Sequence, residues 1–247
     1  MVSEKKWCVT YKKNPKAILR IFCFPYSGGG ASAYFPWIDK LSSSLELVSI
    51  QLPGRENRFH EPLVSNLDVI IAELCKEFER NKEKPFIVFG HSLGALLCYE
   101  FVKGVHKLYN TYPKHMFISA SKAPHMPFRI KKLSHLSDVQ VIKELSVYGG
   151  IDQTLKENIQ ILKIFLPIFR NDFSIGENYS YRKFTPFPFN ITVFHGVNDP
   201  TVKEEEINAW QKYTTGHFES FSFEGGHFFI KNKQDEILKV IENRSFT

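Results

Sequence analysis

Gly90-His91-Ser92-Leu93-Gly94 has the form Gly-x-Ser-x-Gly, a setting in which a serine can act as a nucleophile. The apolar run Phe86-Ile87-Val88-Phe89 precedes it, and the helix-like stretch Ala95 to Phe101 follows. A serine between a buried strand and a helix is the sequence form of a nucleophile elbow. That sharp turn leaves the hydroxyl exposed and needs glycine where the backbone doubles back. The hydroxyl alone is a weak nucleophile. It needs a base, and the base needs a carboxylate to fix its tautomer.

Two downstream segments can supply these groups. Ile191-Thr192-Val193-Phe194 reads as a strand and runs into His195-Gly196-Val197-Asn198-Asp199-Pro200, which puts Asp199 in a turn past the strand's carboxyl end. Phe218 to Phe223 alternates with period two and leads into Glu224-Gly225-Gly226-His227-Phe228-Phe229, which puts His227 in a glycine-rich loop after a strand. The order Ser92, Asp199, His227 is that of α/β-hydrolases, and groups at successive strand ends converge on one edge of a parallel sheet. In this reading His227 takes the Ser92 proton and Asp199 stabilises the imidazolium.

Acyl transfer also needs donors for the oxyanion. One is the Leu93 amide, directly after the nucleophile; the other comes from a glycine-containing loop after an earlier strand. Phe24-Pro25-Tyr26-Ser27-Gly28-Gly29-Gly30 is such a loop. Tyr26 and Ser27 both stand at the right place, and the Ser27 amide is the favoured donor. His91 is expected to support the elbow rather than act as base, His195 and His217 to be structural or exposed, and the remaining histidines lack metal-ligand spacing. No metal and no permanently bound cofactor is expected.

The elements that must position these groups alternate along the chain. A first strand is expected over residues 18–24 and another over 47–50. Asn66 is placed to cap an amphipathic helix from Leu67 to Arg80, and Met116 to Ala120 reads as a further strand. Between residues 121 and 187 the alternation breaks. Helix-like stretches about 138–147 and 155–170 are followed by an aromatic, proline-punctuated segment, Tyr179 to Phe189. This insertion is expected to be a helical lid over the site, being too short for a core of its own. Ile159, Leu162, Ile164, Phe165, Leu166 and Phe169 exceed what one buried face requires, so they either pack densely or line an acyl pocket. The expected fold is α/β: a mostly parallel central sheet flanked by helices, one domain over residues 1–247, with the lid inserted.

Composition fits that reading. A content of 43% hydrophobic and 15% aromatic residues is ample for a core. The N-terminus lacks an apolar signal region and no long apolar run occurs, so a soluble cytoplasmic protein without membrane contact is expected. Cys8, Cys23, Cys75 and Cys98 lack paired spacing and suit reduced core thiols. The net charge of +6 favours acidic partners. The basic residues are scattered, with short clusters such as Arg129, Lys131 and Lys132, so nucleic acid is not the expected partner. A monomer is the expected state.

Several segments together resemble the type II thioesterases that accompany nonribosomal peptide and polyketide synthases. They are Phe24-Pro25-Tyr26-Ser27-Gly28-Gly29, Leu52-Pro53-Gly54-Arg55-Glu56-Asn57-Arg58, Gly90 to Ala95, Ser134-His135-Leu136 and Gly225-Gly226-His227-Phe228-Phe229. The resemblance spans about residues 18–242. It implies an α/β-hydrolase fold with a mobile helical lid, the triad Ser92, Asp199 and His227, and hydrolysis of acyl or aminoacyl thioesters on the phosphopantetheine arm of carrier proteins. The partners it implies are acyl or peptidyl carrier proteins, whose acidic surfaces suit the positive charge here. The same triad would serve a medium-chain acyl-carrier thioesterase of fatty acid synthesis or a small-molecule esterase. A hydrolase fold kept as a binding module is the non-enzymatic alternative.

Overall fold

Runs in which nearly every residue is apolar become strands covered on both faces. In the computed structural model, which describes residues 7–128, 132–151 and 158–246, such runs supply the central strands of one sheet, whose edge strand over residues 218–223 alternates instead. Arg129 and Lys131 of the basic cluster and residues 155–157 of the second expected lid helix lie outside the described residues. The strands are β1 (Cys8–Val9), β2 (Leu19–Phe24), β3 (Leu45–Ile50), β4 (Phe86–His91), β5 (His115–Ser119), β6 (Asn190–Gly196) and β7 (Phe218–Phe223). They lie in the order β1-β3-β2-β4-β5-β6-β7. β1 pairs antiparallel with β3, and every other neighbouring pair is parallel. β1 was not expected: two residues are too few to show a period.

The chain places β3 on one side of β2 and β4 on the other. Loops leaving β2 and β4 therefore diverge at a topological switch point, where a parallel sheet opens a crevice at its carboxyl edge. Register brings the two loops level, because Phe24 lies opposite Gly90. β6 and β7 end together in the same way, with Gly196 opposite Phe223.

Both sheet faces are covered. Phe22, Phe24 and Val88 pack on one side with α1 (Leu67–Glu79) and α2 (Leu93–Tyr109). Ile21, Cys23 and Phe89 pack on the other with a 3-10 segment, Ala31–Trp37, and the last helix. Asn66 caps α1 as expected, its Oδ1 accepting the Val69 N–H at 3.2 Å. All four cysteines are free thiols. Among the described residues no helix is long and apolar enough to cross a membrane.

The excursion between β5 and β6 carries α3 (Asp138–Val147) and α4 (Ile159–Glu177). They share a separate apolar cluster that includes Leu133, Val141, Leu145, Leu162, Leu166 and Phe169. α3 has the expected bounds. α4 does not end near residue 170; it continues through Pro167 to Glu177. Asp172, past the expected end, is fully buried against Arg55. Two short helices complete the chain, α5 (Glu204–Asn208) after β6 and α6 (Gln234–Ser245) after β7.

Candidate active site

Ser92 sits between β4 and α2 with φ +56° and ψ −117°, a conformation that residues with a side chain rarely adopt. Such strain costs on the order of 1–3 kcal/mol and is held by the surroundings. Here the Ser92 N–H donates to the Ser119 carbonyl at 2.8 Å, fixing the turn to β5. Both flanking glycines are required by close approach. A methyl at Gly90 would overlap the Gly94 carbonyl, and one at Gly94 would overlap the Phe24 carbonyl.

The candidate acid and base, Asp199 and His227, arrive from the β6 and β7 ends. His227 Nε2 lies 2.9 Å from Ser92 Oγ, and its Nδ1 lies 2.7 Å from Asp199 Oδ2. The Asn198 N–H donates to the Gly225 carbonyl at 3.0 Å, tying the acid loop to the histidine loop. Sequence reasoning missed a fourth member, Thr201. Its hydroxyl donates to Asp199 Oδ1 at 2.7 Å and lies 2.9 Å from His227 Nδ1, while its N–H donates to the same carboxylate oxygen at 2.8 Å. Burial pushes the Asp199 carboxyl up, but the hydrogen bond and charge of His227, with the Thr201 donors, outweigh it and hold the carboxyl below its usual range. Asp199 is therefore ionised wherever the histidine can act as a base.

His91 takes the supporting role expected of it. Its ring is fully buried beneath the site and lies 2.9 Å from Ser119 Oγ through Nδ1. Burial drives its pKa well below the ordinary histidine value, with the His227 and Lys231 charges acting in the same direction. It is a neutral packing element. His195 is half-buried on β6, and His217 is exposed.

Ser27 and Leu93 line the same cavity as Ser92 and His227. Among the described residues neither amide N–H has a hydrogen-bond acceptor, so both remain available to a developing oxyanion. The next amide in the loop is already used: the Gly28 N–H donates to Asp172 Oδ2 at 2.8 Å.

The cavity has a volume of about 130 Å³. Leu96, Phe128, Phe169, Phe173, Tyr179 and Trp210 supply much of its wall, which suits an acyl group. Of the helix residues weighed as acyl-lining, Phe169 reaches the cavity. Leu162, Leu166 and Phe165 instead pack in the α3–α4 cluster, and Ile164 is exposed. α4 is apolar around more than one face, and periodicity could not choose which face turns inward.

A thioesterase domain model matches residues 19–244. The chain is 36% identical over 245 residues to linear gramicidin dehydrogenase LgrE of Brevibacillus parabrevis, covering 98% of this chain and 93% of that one. It is 36% identical over 236 residues to the gramicidin S biosynthesis protein GrsT of Aneurinibacillus migulanus, covering 96% and 92%. Among solved structures, RedJ, the thioesterase of the prodiginine pathway in Streptomyces coelicolor, superposes with a TM-score of 0.87 at 30% identity, covering 94% and 87%. The dehydrogenase name of the first relative finds little to match here. In the glycine-rich turn of this chain the Gly28 and Ser32 amides already donate to the carboxylates of Asp172 and Glu56, leaving little room for the amide cradle of a dinucleotide pyrophosphate.

Proposed function

The chain belongs to the thioesterase domain family, and from that premise we propose that it hydrolyses acyl or aminoacyl thioesters carried on the phosphopantetheine arm of carrier proteins. Its role in this reading is editing: it clears stalled or mis-primed arms of a nonribosomal peptide or polyketide synthase in the cytoplasm. The observation that carries the reading is the continuous line Ser92 Oγ, His227 and Asp199, opening into an aromatic cavity. The near-full-length similarity to GrsT, a protein of gramicidin S biosynthesis, supports the synthase setting.

Ser92 Oγ attacks the thioester carbonyl as His227 Nε2 takes its proton. The Leu93 and Ser27 amides hold the oxyanion, and collapse expels the pantetheine thiol, which regains the proton. His227 then deprotonates a water that attacks the acyl-serine, and the acid leaves. A thiol with a pKa of about 8.5 departs far more readily than an amide nitrogen, so strong protonation of the leaving group is unnecessary. The α3–α4 excursion serves as a lid that excludes bulk water, and the positive net charge suits an acidic carrier.

The test compares one acyl group on a carrier protein, on coenzyme A and as an oxygen ester. The carrier thioester should be hydrolysed fastest, and Ser92→Ala should abolish turnover on all three. A preference for the oxygen ester, or full turnover by Ser92→Ala, overturns the reading.

A further inference from the structure

An ion pair between two nearly solvent-free groups joins the α4 helix to the segment after β3. Asp172 is fully buried and Arg55 is 3% exposed. Arg55 Nη1 donates to Asp172 Oδ2 at 2.6 Å and Nη2 to Oδ1 at 2.7 Å, a bidentate pair. Neither group faces the reacting serine as acid, base or nucleophile, so the mechanism above leaves the pair unused. Burying two charges is expensive, and a pair of this kind is weak support for stability by itself.

What the pair touches suggests its use. Asp172 Oδ2 also accepts the Gly28 N–H at 2.8 Å, and Arg55 Nη1 donates to the Gly29 carbonyl at 3.1 Å. The turn that presents the Ser27 amide is thus held one residue downstream through an N–H and two residues downstream through a carbonyl. Gly28 has φ +81°, and the Phe169 ring of α4 occupies the space that a side chain at Gly28 would need. One helix, α4, therefore contributes both the carboxylate and the ring that set this turn. Oxyanion donors must be aimed within a few tenths of an ångström, since one donor is worth about 10²–10³ in kcat.

We propose that Asp172 and Arg55 are positioning residues for acyl transfer: they fix the Ser27–Gly28 turn from α4 and so aim the Ser27 N–H at the oxyanion. The oxyanion hole is complete only while the Asp172 segment of α4 is seated. Pro167 lies five residues before Asp172 and has no N–H to donate within the helix. It separates Leu162, which packs with α3, from the Asp172 turn, which packs on the oxyanion loop. The inference rests on the reading that Ser27 supplies an oxyanion donor.

The test pairs two variants. The double variant Arg55→Met/Asp172→Leu replaces the ion pair by apolar side chains, which folded proteins commonly tolerate, and leaves the Gly28 amide without its acceptor. Asp172→Asn keeps the shape and removes the charge. For a folded double variant, kcat on an acyl thioester should fall at least about tenfold with KM within about twofold. The affinity of an alkyl boronic acid, which forms an anionic tetrahedral adduct on the serine, should fall by the same factor as kcat/KM. If the double variant does not fold, Asp172→Asn is held to the same parallel fall. A merely structural pair would lower the melting temperature and leave boronate affinity in the folded protein unchanged, and that result overturns the proposal. Replacing Ser27 by its α-hydroxy acid, which turns its amide into an ester without an N–H, separates the two levels of inference. Unchanged kcat in that ester overturns the Ser27 oxyanion reading, whereas a slow ester beside a fast Asp172 variant overturns the positioning role alone.

Discussion

Thr201 shows how much of the candidate site depends on one small side chain. Its hydroxyl bridges Asp199 Oδ1 and His227 Nδ1, and with its own N–H it gives the carboxylate two of its donors. Asp199 Oδ2 is thereby left for the histidine. Hydrogen bonds to a charged acceptor contribute roughly 1.5–3 kcal/mol when made in a buried place. Thr201→Val keeps the shape and the backbone donor but removes the hydroxyl, so kcat should fall about tenfold with the fold intact. Asp199→Asn should be far worse, about 10⁴-fold, because an amide favours the wrong histidine tautomer. Steady-state hydrolysis of one acyl thioester by the three proteins checks the order. A Thr201→Val enzyme slower than Asp199→Asn would contradict the assignment of the acid.

The elbow works because two elements meet without side chains between them. α2 starts against the end of β2, where the absent Gly94 side chain leaves room for the Phe24 carbonyl. Gly94→Ala must push α2 away from β2, at a cost of about 1–3 kcal/mol for overpacking, and must shift the Leu93 amide with it. Activity should fall more than stability explains. Asn66→Ala, which removes the α1 cap far from the site, should cost about 1 kcal/mol and leave kcat unchanged. Thermal unfolding alongside kinetics at 20 °C separates the two outcomes. The proposed triad was legible in the sequence for the same elemental reason: Ser92, Asp199 and His227 each follow a strand whose apolar run or alternation is visible locally. Asp172 was not legible, because its partner Arg55 lies 117 residues away and nothing nearby marks an acid within an apolar helix as paired. Thr201 was missed because its local contact with Asp199, two residues away, marks only an ordinary turn, and His227 reaches it only once β6 and β7 lie side by side.

Across the whole molecule, burial of neutral histidines ties stability to pH. His115 lies inside the sheet, with Nε2 2.8 Å from Thr192 Oγ1, and Thr192 in turn donates to Glu219, which pairs with Arg244. Burial lowers the His115 pKa from 6.5 to about 4; the Glu219 charge and a hydrogen bond with the Arg244 backbone oppose the shift, while the Arg244 and His217 charges add to it. The unfolded chain therefore takes up a proton near pH 6.5 that the native protein refuses until about pH 4. The stability tied to neutral His115 is full above pH 6.5 and erodes as pH falls toward 4, by up to about 3 kcal/mol in all. His91 acts in the same direction, and the depressed Asp199 carboxyl adds a further loss only below the ordinary carboxylate range. His115→Gln keeps a group able to meet Thr192 and cannot titrate. Urea unfolding at pH 7.5 and pH 5 should show the wild type losing about 2 kcal/mol more than the variant between those pH values. Equal losses would mean that His115 is protonated in the native sheet and that the acid sensitivity lies elsewhere.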